Sequence, residues 1–524
     1  MTTNSITQVF QRRTVERWTG GPRPLSLVYA IPDHPWTRAT KDSAAVRIAM
    51  SVAEAGHHQG ELLTVASEAE LDTDAPVIAL QSMRGRINPD LTVGTDVTRA
   101  RPLKANAGLC SPGVKLHGSG FIVTRAQAAI LGLGQRQGLE AHLRPYRNGR
   151  DLTGRSRDAF VIDLFGLERE EVRDRFPEVY VHLVENVKEA RDASGRLVGR
   201  DANARAAYRD GWWIFGEPRG DLRPALAGLP RYIATVETAK HRVFQFLDAA
   251  IIPDNKLLAF ALDDAAELAV LSSRAHRTWY LANAGKLGVY DRDAVYVKSR
   301  CFDPFPFPVL EDDQRRRLRA VGEALDAHRK QVLSEHPDLT LTGLYNSLEA
   351  NKSGDPLSPS DQETARRART AILRELHDDI DRQVAEAYGW EADQTDAEIV
   401  AALASLNRAR GVEEARGQVR WLRPGYQAPR SGPRRIGRPD TPDLAPAKGE
   451  RARRPAFPSD KYEQPLALQA ALAQAAGPVG PDALARGFSG GLRLRPKIDR
   501  VLTTLHRYGH VERLSDGRWI AAGL

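Results

Sequence analysis

Residues 423–458 are rich in proline, glycine and arginine, with Arg430, Arg434, Arg435, Arg438, Arg451, Arg453 and Arg454 interrupted by few carboxylates. Such a stretch has too little apolar surface to bury a core, so it reads as a basic linker between a long N-terminal part and a short C-terminal one. As a solvated tether it only joins them; as a strand that follows phosphates it also binds. The local sequence does not decide between the two.

The linker fits the size of the chain, because 524 residues exceed what one hydrophobic core serves and several units are expected. Hydrophobic residues at 42% and charged residues at 27% exclude a wholly disordered or fibrous chain. Two cysteines, Cys110 and Cys301, supply neither a disulfide framework nor a four-thiolate zinc site, which fits a reducing, cytoplasmic compartment. The longest apolar runs, Leu25 to Ile31 and Leu268 to Ser273, fall short of the ~20 residues of a membrane helix, and no signal core opens the chain. A net charge of +8 favours polyanionic partners.

Residues 25–31 and 44–52 have the aliphatic character of buried strands, and the link between them is too short for a helical crossover, which predicts antiparallel neighbours. With the helix-like Ile6 to Trp18 before them, they have the look of the closing edge of a larger α/β sheet, as if the chain began at a cut. Residues 66–310 alternate short strands, Pro/Gly turns and scattered helices, the pattern of a mixed α+β domain. In 311–422 helices dominate: Leu318, Val321, Leu325 and Val332 recur at helical spacing. There Ser360 and Glu363 form a capping-box pattern before Ile372, Leu376, Ile380 and Val384. Residues 459–524 read as helices at 464–476 and 481–486 and a third carrying Ile498, Val501, Leu502, Leu505 and Tyr508. A hairpin about Ser515-Asp516-Gly517 completes a winged-helix-like unit. Arg493, Arg495, Lys497 and Arg500 beside its third helix suit DNA; docking of a protein is the competing reading.

Catalytic motifs are faint. His57-His58 is an adjacent pair in a glycine-containing loop, and Pro253-Asp254-Asn255-Lys256 and Pro32-Asp33 read as turns rather than nuclease carboxylates. Gly132-Leu133-Gly134 with Gly138 follows the helix-like Arg125 to Leu131, where a nucleotide loop would follow a strand. The middle domain instead interleaves aromatic and basic residues: Trp212-Trp213 leads to Arg219, then Arg231-Tyr232-Ile233, Lys240-His241-Arg242-Val243-Phe244 and Arg274-Ala275-His276-Arg277-Thr278-Trp279. Guanidinium and ammonium groups bind backbone oxygens, and an arginine fork also matches guanine O6 and N7. Trp212, Trp213, Phe244, Phe246 and Trp279 are expected in the core, which leaves the basic members to touch a polyanion.

Several motifs in order resemble one family. The opening Thr3-Asn4-Ser5-Ile6-Thr7-Gln8, then Ile31-Pro32-Asp33-His34-Pro35-Trp36 and Ala44-Ala45-Val46-Arg47-Ile48-Ala49-Met50, resemble the end of the methyltransferase domain of MmeI-like adenine-specific DNA methyltransferases. Leu143-Arg144-Pro145-Tyr146-Arg147-Asn148-Gly149-Arg150-Asp151-Leu152 and Phe160-Val161-Ile162-Asp163-Leu164-Phe165-Gly166-Leu167 look like the entry to that family's target-recognition domain. Trp212-Trp213, Lys240-His241-Arg242, Leu271-Ser272-Ser273-Arg274-Ala275-His276, Cys301-Phe302-Asp303-Pro304, Leu341-Thr342-Gly343-Leu344-Tyr345-Asn346 and Ala387-Tyr388-Gly389-Trp390 follow in the family's order, over roughly residues 1–420.

The resemblance implies five parts. Residues 1–65 would be the C-terminal edge of a class I methyltransferase α/β domain, 66–310 an α+β target-recognition domain that binds DNA, and 311–422 a helical region. The basic linker 423–458 and the winged-helix-like domain 459–524 would follow. It implies double-stranded DNA as partner and a restriction–modification or phage-defence setting. The glycine-rich S-adenosylmethionine loop and the Asn-Pro-Pro-Tyr/Phe motif of the family are absent, and Asn88-Pro89-Asp90 lacks the proline and aromatic that hold a flipped adenine. No catalytic or cofactor-binding residue is therefore carried over. The chain is expected to need an upstream catalytic part, on a separate methyltransferase chain or lost by truncation, before S-adenosylmethionine can serve it. The competing expectations are a non-enzymatic DNA-specificity protein and a nonfunctional fragment. DNA contacts are expected from Arg219, Arg231, Lys240, Arg242, Arg274, His276 and Lys298.

Overall fold

The computed structural model describes residues 1–7, 9–21, 23–36, 46–71, 73, 76–286, 294–353, 358–391, 393–431, 456–458, 463–473, 475, 477–507, 511–514 and 516–521. The chain divides into two compact units, Met1–Arg434 and Arg435–Leu524. The division falls within the predicted linker, of which 432–455 lies outside the described residues, but the linker's start is corrected: Pro424–Ser431 is a helix held to the first unit, where Gln427 Nε2 donates to Ala105 O and Ala107 O and Tyr426 packs on the core.

The first unit opens with helix Val9–Gly20 against a five-stranded sheet. Its strand order is Thr2–Thr3, Arg47–Ala55, Leu25–Pro35, Gly60–Ala69, Val77–Gly85. Leu25–Pro35 and Arg47–Ala55 pair antiparallel, as the short link requires. Two details depart from expectation. Pro32-Asp33 is no turn but lies in a strand, at an irregularity in pairing between Ile31 and His34, where Asp33 accepts an ion pair from Arg47 at 2.8 Å. The sheet also runs past residue 65: Gly60–Ala69 pairs parallel with Leu25–Pro35 and antiparallel with Val77–Gly85. The exposed Thr64, Ala66, Ser67 and Gln81 dilute the apolar alternation that marks a strand, which hides these two strands in the sequence.

One face of this sheet is packed, with Val15, Leu27, Ala30, Ala49, Leu62, Ile87 and Leu91 forming a core. On the other, Tyr29 lies opposite Val52 and Val65 opposite Leu80. Val52 is 53% and Leu80 40% exposed.

Residues 99–309 hold two four-stranded sheets. The first is antiparallel throughout, in the order Gln245–Asp248, Arg231–Val236, Leu257–Phe260, Cys110–Pro112. Almost every residue of its three longer strands is buried, which accounts for their unbroken apolar runs. The second joins Ile252–Pro253, Leu143–Arg147, Phe160–Ile162 and Ile122–Val123. Trp212, Phe244, Phe246 and Trp279 are buried as expected. Helix Arg125–Ile130 precedes the Gly132–Gly138 loop, so these glycines end a helix.

Five long or medium helices follow: Asp312–Glu335, Leu341–Ser353, Pro359–Arg367, Thr370–Tyr388 and Asp396–Ala415. They share a single core with the preceding domain, in which Val97, Val243, Trp279 and Phe305 meet Leu318, Leu325, Leu344, Ile380 and Leu403. The break at 310/311 is thus a change of secondary structure without a gap in packing. Helix Asp312–Glu335 crosses helix Ala265–Ser272 so closely at Gly322 that a Cβ there would lie 2.2 Å from the Ala265 carbonyl oxygen. The expected capping box at Ser360 is displaced: Ser358 caps Pro359–Arg367 by accepting from the Asp361 amide. Arg369, at φ 48°, then breaks the chain into a second helix that carries Ile380 and Val384.

The second unit contains helices Glu463–Ala473, Pro481–Arg486 and Arg495–Arg507 and the hairpin Val511–Arg513/Trp519–Ala521. Leu468, Leu472, Leu484, Phe488, Ile498, Leu502, Leu505, Val511 and Trp519 form its own core. Tyr508 and Ser515, expected in the helix and the turn, lie outside the described residues. Among the described residues no helix is long and apolar enough to cross a membrane.

Candidate functional site

Three of the sequence motifs, far apart in the chain, meet at one place in the first unit. Strands Arg231–Val236 and Gln245–Asp248 are antiparallel neighbours, so the segment 237–244 between them turns at the sheet edge. Arg242 is folded under this turn. Its guanidinium donates to the Val236 carbonyl, to Glu237 O at 3.3 Å and to Ala294 O at 3.1 Å, and lies 5.1 and 5.2 Å from the ring centroids of Tyr280 and Tyr296. With Arg242 used as a brace, Lys240 and His241 project outward. Lys240 Nζ donates to Asn346 Oδ1 at 2.8 Å and pairs with Glu349 at 2.9 Å, and His241 Nε2 meets the same Asn346 Oδ1 at 2.7 Å.

Asn346 is held in place by its neighbour. Tyr345 is buried on helix Leu341–Ser353, where its hydroxyl accepts from Arg329 and bonds His377 Nε2 at 2.7 Å. Burial pushes the Tyr345 hydroxyl up and the His377 imidazole well down, so both stay neutral and serve as fixed hydrogen-bonding groups. The Arg274 amide donates to Asp381 at 2.5 Å, and burial raises the Asp381 carboxyl.

Between the turn and these helices lies a cleft of about 400 Å³, lined by Lys240, His241, Arg274, Arg277, Lys352 and Asp381 among others. Across the turn a second cleft of about 370 Å³ is lined by Arg150, Lys240, His241, Lys256 and Thr342. Arg150, Lys240, Lys256, Arg277 and Lys352 are exposed. Among the described residues, Arg150 and Arg277 have no carboxylate within ion-pair distance, whereas Lys240 pairs with Glu349, Lys256 with Glu237 at 2.7 Å and Lys352 with Asp378 at 3.9 Å, all at the surface. The rim is therefore a ridge of cations flanked by two clefts, stiffened from beneath by Arg242, Tyr345 and Arg329. A surface of this kind holds an extended polyanion by its phosphates.

The predicted contacts divide sharply against this geometry. Lys240 stands on the ridge. Arg274 lines the cleft, but its side chain clamps Asp396 at 2.7 Å. His276 is corrected: it is fully buried, with Nδ1 at 2.9 Å from Leu271 O and Nε2 at 3.0 Å from the Tyr296 hydroxyl, and burial lowers its pKa to about 3. A sealed neutral imidazole presents nothing to a ligand. Arg242 is likewise an internal brace. Arg231 stacks 3.7 Å over Phe246 and grips Glu323 with both terminal nitrogens, and Lys298 pairs with Asp303 at 2.8 Å. Arg219 lies apart, in a left-handed conformation (φ 55°), where it donates to Gly113 O at 3.0 Å and pairs with Glu217. Composition finds cations but not their partners, and most of these are partnered within the fold.

Arg150, His241, Lys256, Arg277, Asn346 and Lys352 are not among the contacts expected from sequence. His241 and Asn346 do lie inside motifs that the sequence marks, while Lys352 has no local signal. Asn88 is buried and its amide is spent on Thr92 Oγ1 at 3.1 Å and Gly94 O at 3.3 Å, so it is a turn residue. Among the described residues no group of three His, Cys, Asp or Glu is placed to hold a metal ion.

The model of the MmeI target recognition domain family matches residues 99–309. No curated protein sequence matches the chain. Among solved structures, the type IIL restriction–modification enzyme MmeI in complex with DNA is similar, with a TM-score of 0.56 and 19% identity over 78% of this chain and 49% of that one. That likeness establishes a shared fold, and the chain spans about half the length of its counterpart. The type IIG restriction endonuclease BpuSI aligns at 11% identity over 74% of this chain and 47% of that one. Its TM-score of 0.25 gives no support to any argument.

Proposed function

We propose that this chain binds duplex DNA and reads a short sequence in it for a restriction–modification enzyme, a reading supported by the match of residues 99–309 to the MmeI target recognition domain model. The observation that carries this reading is the match over 99–309 together with the cation ridge that its Lys240-His241 turn builds with Asn346. Phosphate contacts from Arg150, Lys240, His241, Lys256, Arg277 and Lys352 fix register, and side chains on the neighbouring loops then meet base edges.

The modification served is methylation of adenine N6, in a cytoplasmic system that protects against phage. S-adenosylmethionine does not fit this chain. Among the described residues the Gly132–Gly138 loop ends a helix rather than following a strand, and the Asn88 amide is committed to a turn. The methyl-transfer machinery therefore comes from another part, on the same or a separate chain. The sheet of residues 2–85, longer than the 1–65 expected from sequence, is read as the edge of that methyltransferase sheet; the reading is supported by its packing on one face with Tyr29, Val52, Val65 and Leu80 on the other. The second unit is read as winged-helix-like on its three helices and hairpin.

Co-expression with an upstream segment ending in Asn-Pro-Pro-Phe should give a complex that transfers methyl groups to DNA at one sequence. A stable complex that binds DNA yet transfers none defeats the split-enzyme reading and leaves a non-enzymatic specificity protein. Failure to bind any duplex defeats both.

A further inference from the structure

On the longest helix described in the first unit the exposed cations are as a rule paired. Along helix Asp312–Glu335, Arg315 holds Asp264 and Glu267, Arg316 holds Asp313, Arg317 holds Glu386, Arg319 holds Asp264 and Lys330 holds Asp326. The third helix of the second unit departs from that rule. Residues 491–507 contain five Lys/Arg and one Asp. Arg495 is paired, with Asp482 at 3.1 Å and Asp499 at 3.8 Å. Arg493, Lys497 and Arg500 are exposed and, among the described residues, have no carboxylate within ion-pair distance.

Lys497, Arg500 and Thr504 are spaced three and then four residues apart, which sets them in one row along helix Arg495–Arg507, and Arg493 stands on the 3-10 turn Gly491–Leu494 that leads into it. The row is firmly based. Ile498, Leu502 and Leu505 on a different face are buried against Leu468, Leu484 and Trp519, so the helix cannot roll to hide its charge. Arg513, on the adjoining hairpin, lies 5.5 Å from the Trp519 ring centroid. A protein-docking face of this size would be expected to offer an aromatic or methionine anchor. In the described part of this helix region the exposed large apolar residue is Leu492, at the margin. An unpaired row of cations without an anchor complements a phosphate backbone rather than a protein surface.

We propose that the second unit is a sequence-independent duplex-binding surface, in which Arg493, Lys497 and Arg500 contact DNA phosphates outside the sequence read by residues 99–309. It adds affinity without specificity and lengthens the footprint. The inference stands apart from the function proposed for the first unit, because phosphate contacts need no particular sequence.

The test uses the full chain carrying R493A, K497A and R500A together, titrated by fluorescence anisotropy against an arbitrary duplex of about 30 base pairs at several salt concentrations. Removing three phosphate-binding cations is expected to lower the magnitude of the slope of log affinity against log salt by about 2.7. The R493K, R500K variant, which keeps the charges, should retain the parent slope. An unchanged circular dichroism spectrum and unchanged resistance of the second unit to limited proteolysis would show that the unit still folds. Equal slopes and affinities for the triple variant and the parent overturn the proposal, and so does loss of a co-purifying protein with DNA binding unaltered. The pair K240A, R277A in the first unit reports separately on the ridge, so failure of one surface is distinguishable from failure of the other.

Discussion

The seam between residues 99–309 and the helical layer, and the outer face of the first sheet, treat their side chains in opposite ways. At the seam even the cations are drawn inward: Arg329 donates to Phe244 O, Arg231 lies across Phe246 and Arg242 braces a turn, all around a core of Trp279, Phe305, Leu318 and Ile380. On the sheet, apolar Val52 and Leu80 face outward and keep about half of their surface exposed. The contrast teaches that residue type alone does not assign a role. An arginine at the seam is structure, and a leucine on the sheet contributes little to folding the unit it belongs to.

The comparison is broken most forcefully by truncation. W279A should cost about 3–5 kcal/mol, because a fully buried indole leaves a cavity the packed helices cannot close. L80A should change stability by less than about 0.5 kcal/mol. Chemical denaturation of the two variants checks both, and equal losses would erase the distinction.

Acid supplies the next largest effect. The His276 imidazole titrates near 6.5 when unfolded and at about 3 in the fold, since burial disfavours its charged form. Between those values only the unfolded chain takes up the proton. Stability is therefore complete above pH 6.5, falls as pH drops toward 3 by up to about 1.4 kcal/mol per pH unit, and levels off below. His377, lowered by the same cause, adds in the same direction. H276Q should have a shallower dependence across this range when unfolding is followed at a series of pH values.

Smaller still, R231A loses the Glu323 pair, which is partly solvent-screened, and the stacking on Phe246, and should cost about 1–2 kcal/mol. Its affinity for duplex DNA should stay unchanged, which sharpens the division between brace and ridge. The least disruptive change for folding is K240A with R277A, expected to alter stability by under about 0.5 kcal/mol. It should lower the salt slope of DNA binding by about 0.9 for each phosphate left without its cation. A slope equal to that of the parent would return these residues to the solvated surface.

Much of this arrangement is legible in the sequence. The antiparallel pair at 25–55, the helical layer and the unit after the linker follow from apolar periodicity and link length, which are local properties. Strands Gly60–Ala69 and Val77–Gly85 stay hidden because a half-exposed sheet dilutes its own pattern. The helix expected to start at Ser360 begins elsewhere because Arg369 adopts a conformation that no residue preference announces. The site is legible as motifs but not as atoms. Lys240-His241-Arg242 and Leu341–Asn346 are both marked, yet which of their side chains meet depends on a helix packing beside a strand-joining turn more than a hundred residues away in the chain. His276 fails for the same reason: a histidine between two arginines looks exposed, and only the packing of Phe244 and Phe305 around it seals it in.

The central claim is that residues 99–309 read a DNA sequence. It is tested most directly by incubating the full chain with a pool of random duplexes at moderate salt and sequencing what it retains. The account predicts enrichment of one short motif in the retained pool, with binding that weakens steeply as salt is raised. A retained pool with the same sequence composition as the input, or no salt-sensitive retention at all, would contradict it.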